Sequence, residues 1–357
     1  MKVSELLNIC DNIAPFSSAE SWDNTGLIVG DESEKVNGIL ISLDCASETV
    51  DEAVQKGANV IISHHPVIFP SVNTVTEKFV GRVIRKLIKN DINLIVMHTN
   101  LDHQPDGVSH MIADKLGFLN TNILLPVSGE FKKIRINIPE NDKEKLKSHL
   151  AENKVGSVGE YSNCFFEYPV AGQFKPNENA NPHIGSADVF EEVEEYIVEG
   201  IFEEKHQHQV IQALIDIHPY EEPAYDILNL ENQSKMGLGV TFDYDGSLES
   251  LVELIQTKAG TPVVNVVKGN KEKIQKAAVI GGSGMSYAEA AFNSGIDVLI
   301  TGDVKYHEAY DAKLLNRNII DAGHYIEVLM VEGLSRLLQD QTDVNIFETE
   351  VNTNPFQ

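Results

Sequence analysis

Two stretches of this chain repeat one order of elements, and that duplication restricts the fold more than any other feature. The first, "VNGILISLDCASETVDEAVQKGANVIISHHPVI", starts at Val36, and the second, "IQKAAVIGGSGMSYAEAAFNSGIDVLITGDVKYH", starts at Ile274. Each reads as a strand, a small-residue turn, a helix with Ala or Val on one face, a glycine and another strand. "KGANVIISHH" answers "SGIDVLITGD" almost position for position. A helix and a third strand then follow in both, as "FVGRVIRKLIKNDINLIVMHTNLD" and "YHEAYDAKLLNRNIIDAGHYIE". Strands joined by helical crossovers pair in parallel and carry helices on their faces. The expectation is an α/β core of two similar halves with parallel-type sheets, over residues 1–128 and 236–357.

The period changes between the halves, over residues 129–235. "FKKIRINIP" reads as a strand and "NDKEKLKSHLAEN" as a helix; "NCFFEYPV" and "EEYIVEGIF" read as two more strands. "EKHQHQVIQALIDIH" is a helix and "PAYDILNL" a last strand. That order, βαββαβ, predicts an inserted ferredoxin-like α+β domain. The Pro/Asn/Gly-rich "AGQFKPNENANPHIGSAD" reads as a long loop between its middle strands.

At 357 residues the chain exceeds one comfortable core, in keeping with this division. Its 54 acidic residues against 28 Lys and Arg give a net charge of −26. Such a surface repels phosphate backbones, so duplex nucleic acid is excluded as a default partner. Cys10, Cys45 and Cys164 are scattered, without CxxC spacing, and point to a reducing compartment. Glu5 and Asp11 interrupt any signal-peptide core, and no apolar run approaches the ~18 residues of a membrane span. The expected location is the cytoplasm, with no membrane partner.

In parallel α/β sheets, ligands gather beyond the carboxyl ends of the strands. Three such ends carry metal-type side chains. "NVIISHHPVIFP" delivers His64 and His65, and Pro66 favours a bend that lets neighbouring side chains serve one region. "NLIVMHTNLDHQPDG" delivers His98, Asp102 and His103. "NIIDAGHYIEVLMVEG" delivers His324 and Glu327, whose i, i+3 spacing places both on one side of a helical turn. Diverging histidines plus a carboxylate from each half suit two ions, with Glu327 as the bridge. His65 and Asp102 would then serve one ion, and His64 and His324 the other. Nitrogen and carboxylate donors without sulfur fit zinc, iron or manganese, and zinc is taken first.

Other segments carry two readings each. "AVIGGSG" either offers amides to a phosphate or packs a helix tightly onto a strand. Asp303, Lys305 and His307 in "TGDVKYHEAYDA" either act in proton transfer or anion binding, or cap and solvate a helix. Trp22 in "SAESWDNTGL" is a rim element of the site or the anchor of a loop, and His206 and His208 read as surface residues.

Together "SWDNTGLIVG", "SHHPVIF", "HTNLD", "GGSG" with "TGDVKYHEA", and "DAGHYIE" resemble the Nif-three-like family, whose members carry the label GTP cyclohydrolase 1 type 2 homologue. The insert is similar to the PII/CutA-like module of the longer bacterial members. The resemblance implies a dinuclear site with His64, His65, Asp102, His324 and Glu327 as ligands, and a ring-shaped homohexamer. Some members space the last pair HxxxE; here it is HxxE. The activity implied is metal-dependent hydrolysis of a small molecule such as a nucleotide, with attack at C8 of GTP and loss of formate. His98, His103 or His307 would transfer protons, and Lys305 or the "GGSG" amides would hold a triphosphate. A phosphoesterase would use the same metals. The competing reading is a metal-binding regulatory or scaffold protein without turnover, its insert a sensor or assembly module.

Overall fold

Short apolar strands gather into three sheets in the computed structural model, which describes residues 1–69, 71–127, 131–159, 161–231, 235–260 and 265–356. The chain divides into two compact units, residues 1–126 with 235–357, and residues 127–234.

In the first unit, β1 (Gly26–Val29), β2 (Ile39–Ser42), β3 (Val60–Ser63) and β4 (Asn93–Val96) lie in the order β1-β4-β3-β2. The segment Ile346–Glu348 adds in parallel at the β2 edge. β2, β3 and β4 are parallel, with Ile39, Val60 and Asn93 side by side. β1 runs antiparallel to β4 and sets Gly26 beside Val96. The start of β1 therefore lies at the edge where the parallel strands end. β5 (Asn122–Pro126) closes this part of the chain.

The unit of residues 127–234 holds β6 (Phe131–Pro139), β7 (Phe165–Phe174), β8 (Glu191–Glu203) and β9 (Tyr225–Asn229), antiparallel in the order β7-β8-β6-β9. Alternation along β6 buries Ile134, Ile136 and Ile138. They pack against Leu146 and Leu150 of the helix Lys143–Glu152 and Val210 and Leu214 of Gln207–Ile217. The long connection begins later than its composition suggests. Ala171–Phe174 pair with Glu191–Glu194, so backbone pairing carries β7 into the expected loop.

The second sheet contains β10 (Gly237–Ser247), β11 (Asn265–Val267), β12 (Lys273–Val279), β13 (Val298–Thr301) and β14 (Asn318–Asp321), ordered β11-β14-β13-β12-β10-β5. β12, β13 and β14 are parallel, while β5, β10 and β11 run antiparallel. Both large sheets are thus mixed, with the repeat supplying their parallel centres. Ala277, Val298 and Asn318 stand in register as Ile39, Val60 and Asn93 do. The duplication is therefore structural, down to a buried asparagine opening the third strand of each half.

These central strands bury both faces, which is why they read as unbroken apolar runs. Ile39, Ile41, Val60 and Ile62 share one core with Ala277, Val279, Val298 and Ile300. Leu40, Ile61 and Leu94 instead meet Val50 and Ala53 of the helix Ser47–Lys56 and Val83 and Leu87 of Phe79–Lys89. Gly57 and Gly295, both at positive φ, end the matching helices of the two halves in left-handed caps or turns. Among the described residues, no helix is long and apolar enough to cross a membrane.

Candidate metal centre

β3 ends at Ser63, and the chain bends where the two histidines begin. The Ser63 hydroxyl donates to the His65 carbonyl at 3.0 Å and ties the bend. His64 is fully buried, and its Nδ1 meets the Met97 carbonyl oxygen at 2.8 Å. His65 Nδ1 meets Asp44 Oδ1 at 2.8 Å. The two rings lie 5.2 Å apart and line the same cluster, so the bend overrides strand alternation.

β4 leads into a single helical turn, Thr99–Asp102, with His98 before it. His98 Nδ1 meets Asp23 Oδ1 at 2.8 Å, while Asp23 Oδ2 accepts from the Thr99 amide at 3.1 Å and its hydroxyl at 2.5 Å. Asp102 Oδ1 lies 3.7 Å from His64 Nε2.

Beyond β14, residues His324–Leu329 form a 3₁₀ helix. In that helix positions i and i+3 eclipse, which is what the HxxE spacing needs. His324 Nε2 lies 3.1 Å from Glu327 Oε2, and His65 Nε2 approaches the same oxygen at 3.1 Å. Glu327 Oε1 lies 3.9 Å from His64 Nε2. His324 Nδ1 meets Asp303 Oδ2 at 2.7 Å; Asp303 holds φ 54°, a left-handed conformation that aspartate tolerates.

Four imidazoles thus share one arrangement. Each anchors Nδ1 on an oxygen acceptor and leaves Nε2 for the cluster, the outer-shell pattern of metal-bound histidines. Three overlapping groups have ligand atoms mutually within 4.8 Å: His64, Asp102 and Glu327; His65, His324 and Glu327; and His64, His65 and His98. The histidine partners expected from sequence are exchanged. His64 groups with Asp102 and His65 with His324, because the Met97 and Asp44 anchors turn the two rings those ways.

Burial pushes His64 down to about 3. Burial also opposes the charge on His65, but hydrogen bonds to Asp44 and Glu327 outweigh it and carry its pKa up to about 10. Its hydrogen bond to Glu327 carries His324 up to about 9 against burial. Glu327 is buried too, yet His324 and His65 hold its carboxyl well below the usual range. Burial, and then the charge of Glu327, drive Asp102 well above it. Among the described residues, His64 Nε2 is buried without a hydrogen-bond partner. A neutral imidazole with an orphaned, inward-facing nitrogen beside two carboxylates fits a bound cation.

The remaining candidates lie elsewhere. His103 Nδ1 meets the Ser18 carbonyl oxygen at 2.8 Å, and its Nε2 lies 3.6 Å from Glu20. Lys305 and His307 are exposed at the start of the helix Tyr306–Leu314, with Lys305 Nζ 3.9 Å from Glu308. Neither belongs to the ligand groups. The "GGSG" amides of Gly281 and Gly284 donate to Ser109 Oγ and Thr301 Oγ1. They are therefore engaged inside the fold rather than presented to an anion. A Cβ at Gly282 would lie 2.6 Å from Glu327 Oε1, so this turn keeps room for that carboxylate. Trp22 is 57% exposed and its ring lies 6.3 Å from that of His98, which makes it a rim residue.

Sequence reasoning missed Asp44 as the anchor of His65, although it follows β2 at the same edge. Exchanging Asp44 or Asp23 for asparagine is expected to weaken metal affinity by about 10–100-fold in chelator competition. Affinities within twofold of the unaltered protein would show that the anchors do not tune the site.

A duplicated α/β unit carrying a histidine–carboxylate cluster defines the class of protein. The chain belongs to the Duf34/NIF3 (NGG1p interacting factor 3) family, whose model matches residues 1–355. A Staphylococcus aureus (strain MSSA476) relative named GTP cyclohydrolase 1 type 2 homolog is 42% identical, over the whole of both chains. A crystal structure of a Staphylococcus aureus protein superposes with a TM-score of 0.85 at 38% identity, covering 100% of this chain and 98% of that one. A Bacillus cereus protein related to NIF3 gives 0.77 at 35% identity, covering 100% and 99%.

Proposed function

We propose that this protein is a dinuclear metal-dependent hydrolase of a small, nucleotide-related substrate. The observation that carries the reading is the shared anchoring of four imidazoles around the orphaned His64 Nε2. His64, Asp102 and Glu327 would hold one ion, and His65, His324 and Glu327 the other. Zinc fits the donor set first, with iron or manganese as alternatives. Such ions, when bound, supply Lewis acidity and a water ionised near neutral pH.

The chain's own groups supply the rest. Glu327 is shared between the two ligand sets, and the Asp23 anchor orients His98 so that Nε2 can hold or pass a proton. A cavity of about 770 Å³ opens beside His65 and His324, walled by Phe69, Tyr325, Asn352 and Asn354. Among its described lining residues are Asp44 and Glu48, and no lysine or arginine. That wall favours a planar, weakly charged group over a triphosphate. The relatives' name, GTP cyclohydrolase 1 type 2 homolog, supports a guanine nucleotide, whose planar base suits this wall better than its phosphates do.

Residues 129–235 are read as a ferredoxin-like, PII/CutA-type insert, a range that closely follows the compact unit of residues 127–234. Support comes from the element order and from β6 and β8 lying at the centre of the sheet. The homohexamer is kept as the assembly; Tyr306, Tyr310 and Leu314, exposed four residues apart on one helix, favour self-association. A solution mass of one chain by light scattering would remove it.

The metal-loaded chain, screened against GTP, other nucleotides and phosphoesters, is expected to release formate or phosphate. Asp102→Ala should abolish that release, and His98→Ala should lower kcat by about 10²–10⁴. Absence of turnover across the panel would favour the regulatory reading, which the net charge of −26 supports by disfavouring nucleotide capture.

A further inference from the structure

The unit of residues 127–234 holds a cavity of about 550 Å³, within the ~300–1,000 Å³ range of small-molecule sites. Phe174, Pro176, Pro182 and Ile184 make its apolar wall, and Glu195 lines it from β8. Glu195 is only 6% exposed. Its Oε1 accepts from the Tyr220 hydroxyl at 2.7 Å, and Oε2 from Asn137 Nδ2 at 3.4 Å. Among the described residues no lysine or arginine forms an ion pair with it; His218, behind Tyr220, attracts it electrostatically, but burial holds that imidazole's pKa down, so the direct donors to the carboxylate are neutral. A buried carboxylate with no ion-pair partner in direct contact is costly, and a cationic ligand would relieve it.

Two further features point to an occupant. Gly172 lines the cavity in extended β7, at a φ any residue adopts, so the backbone does not require glycine. A Cβ there would lie 2.9 Å from Glu195 Oε2 and 3.2 Å from Val193 Cγ2. The glycine keeps the space over the carboxylate open. Tyr220 is braced in turn: its amide donates to His218 Nδ1 at 3.1 Å, while His218 Nε2 donates to the Asn137 carbonyl oxygen at 2.8 Å. The run "HPYEEPAYD" thus builds a fixed wall rather than a loose turn.

The charges select the ligand class. Glu195, Glu221 and Glu222 line the cavity beside His183 and, among the described residues, a single lysine or arginine, Lys175, whose ammonium lies 3.6 Å from Asp188. An anion is repelled. A metal ion lacks convergent donors, since the ligand groups among the described residues all lie in the other unit. We propose that this cavity binds a small organic cation, a protonated amine or guanidinium on an apolar body, whose charge is met by Glu195.

Saturation-transfer NMR and calorimetry on the full chain would test this with benzylamine, phenethylamine and agmatine. Benzyl alcohol and phenylacetate serve as neutral and anionic controls. At least one of the cations is expected to bind about tenfold or more tightly than both controls. Glu195→Gln should erase that preference. Ala180→Arg, on the loop lining the cavity, should block binding with circular dichroism and core metal content unchanged. Equal binding of the controls, binding that survives Ala180→Arg, or no binding by any of the three cations would overturn the proposal. Capture of a lysine-bearing peptide where the small cations fail would do the same.

Discussion

On the proposed two-ion reading, Glu327→Gln is expected to lower bound metal from about two ions per chain to less than one, with the fold retained. The carboxylate takes part in both main ligand groups, so its loss weakens both together. Oε2 faces His65 and His324 at 3.1 Å each, and the residue is 3% exposed. Glutamine preserves the shape but removes the charge and turns one end into a donor facing imidazole nitrogens. Apparent affinity should fall about 100-fold or more in chelator competition. Elemental analysis that still finds two ions, at an affinity within tenfold, would show that Glu327 is not shared. Circular dichroism separates ligand loss from unfolding.

Gly302→Ala is expected to destabilise the protein by about 1–3 kcal/mol and to weaken metal binding as well. A Cβ at Gly302 would lie 2.6 Å from the His324 amide nitrogen and 2.7 Å from the Gly323 carbonyl carbon. Both neighbours are backbone, so no flexible side chain can swing aside. Relief would shift the turn that presents His324, moving its Nε2 away from Glu327. A lower urea midpoint with an unchanged slope, together with a weaker metal affinity, would report both effects. An unaltered midpoint would mean that the 323–324 turn yields freely and does not fix the ligand.

The same glycine explains an asymmetry between the halves. In the aligned strands Val60 answers Val298, which sets His64 opposite Gly302 and His65 opposite Asp303. The first half can carry a histidine pair there. In the second half the chain returns across that position and leaves no room for a side chain, so its histidine comes from the next strand end. Asp102 and Glu327 nevertheless correspond, each nine residues beyond the asparagine, Asn93 or Asn318, that opens its third strand. One site is assembled from equivalent carboxylates and non-equivalent histidines.

Much of this was legible along the chain because it depends on local order. Apolar runs with helical crossovers determine parallel strands, and strand ends determine where His64, His65, Asp102, His324 and Glu327 gather. What the sequence could not supply depends on approach between distant segments. Asp23 precedes β1, a strand antiparallel to its neighbour, so a rule about strand ends overlooks it. The antiparallel pairing brings its loop to the edge where β4 ends, and there it anchors His98.

The "GGSG" turn resisted sequence reading for a related reason. Its glycines leave space for a carboxylate that follows more than forty residues later, and no local pattern records that space. By itself the sequence determined the duplicated α/β core, the strand–helix order of residues 131–229, and the strand ends at which the five proposed ligands cluster. Only the tertiary structure decided which histidine faces which carboxylate, because ring orientation depends on acceptors delivered by other strands: Met97, Asp44, Asp23 and Asp303.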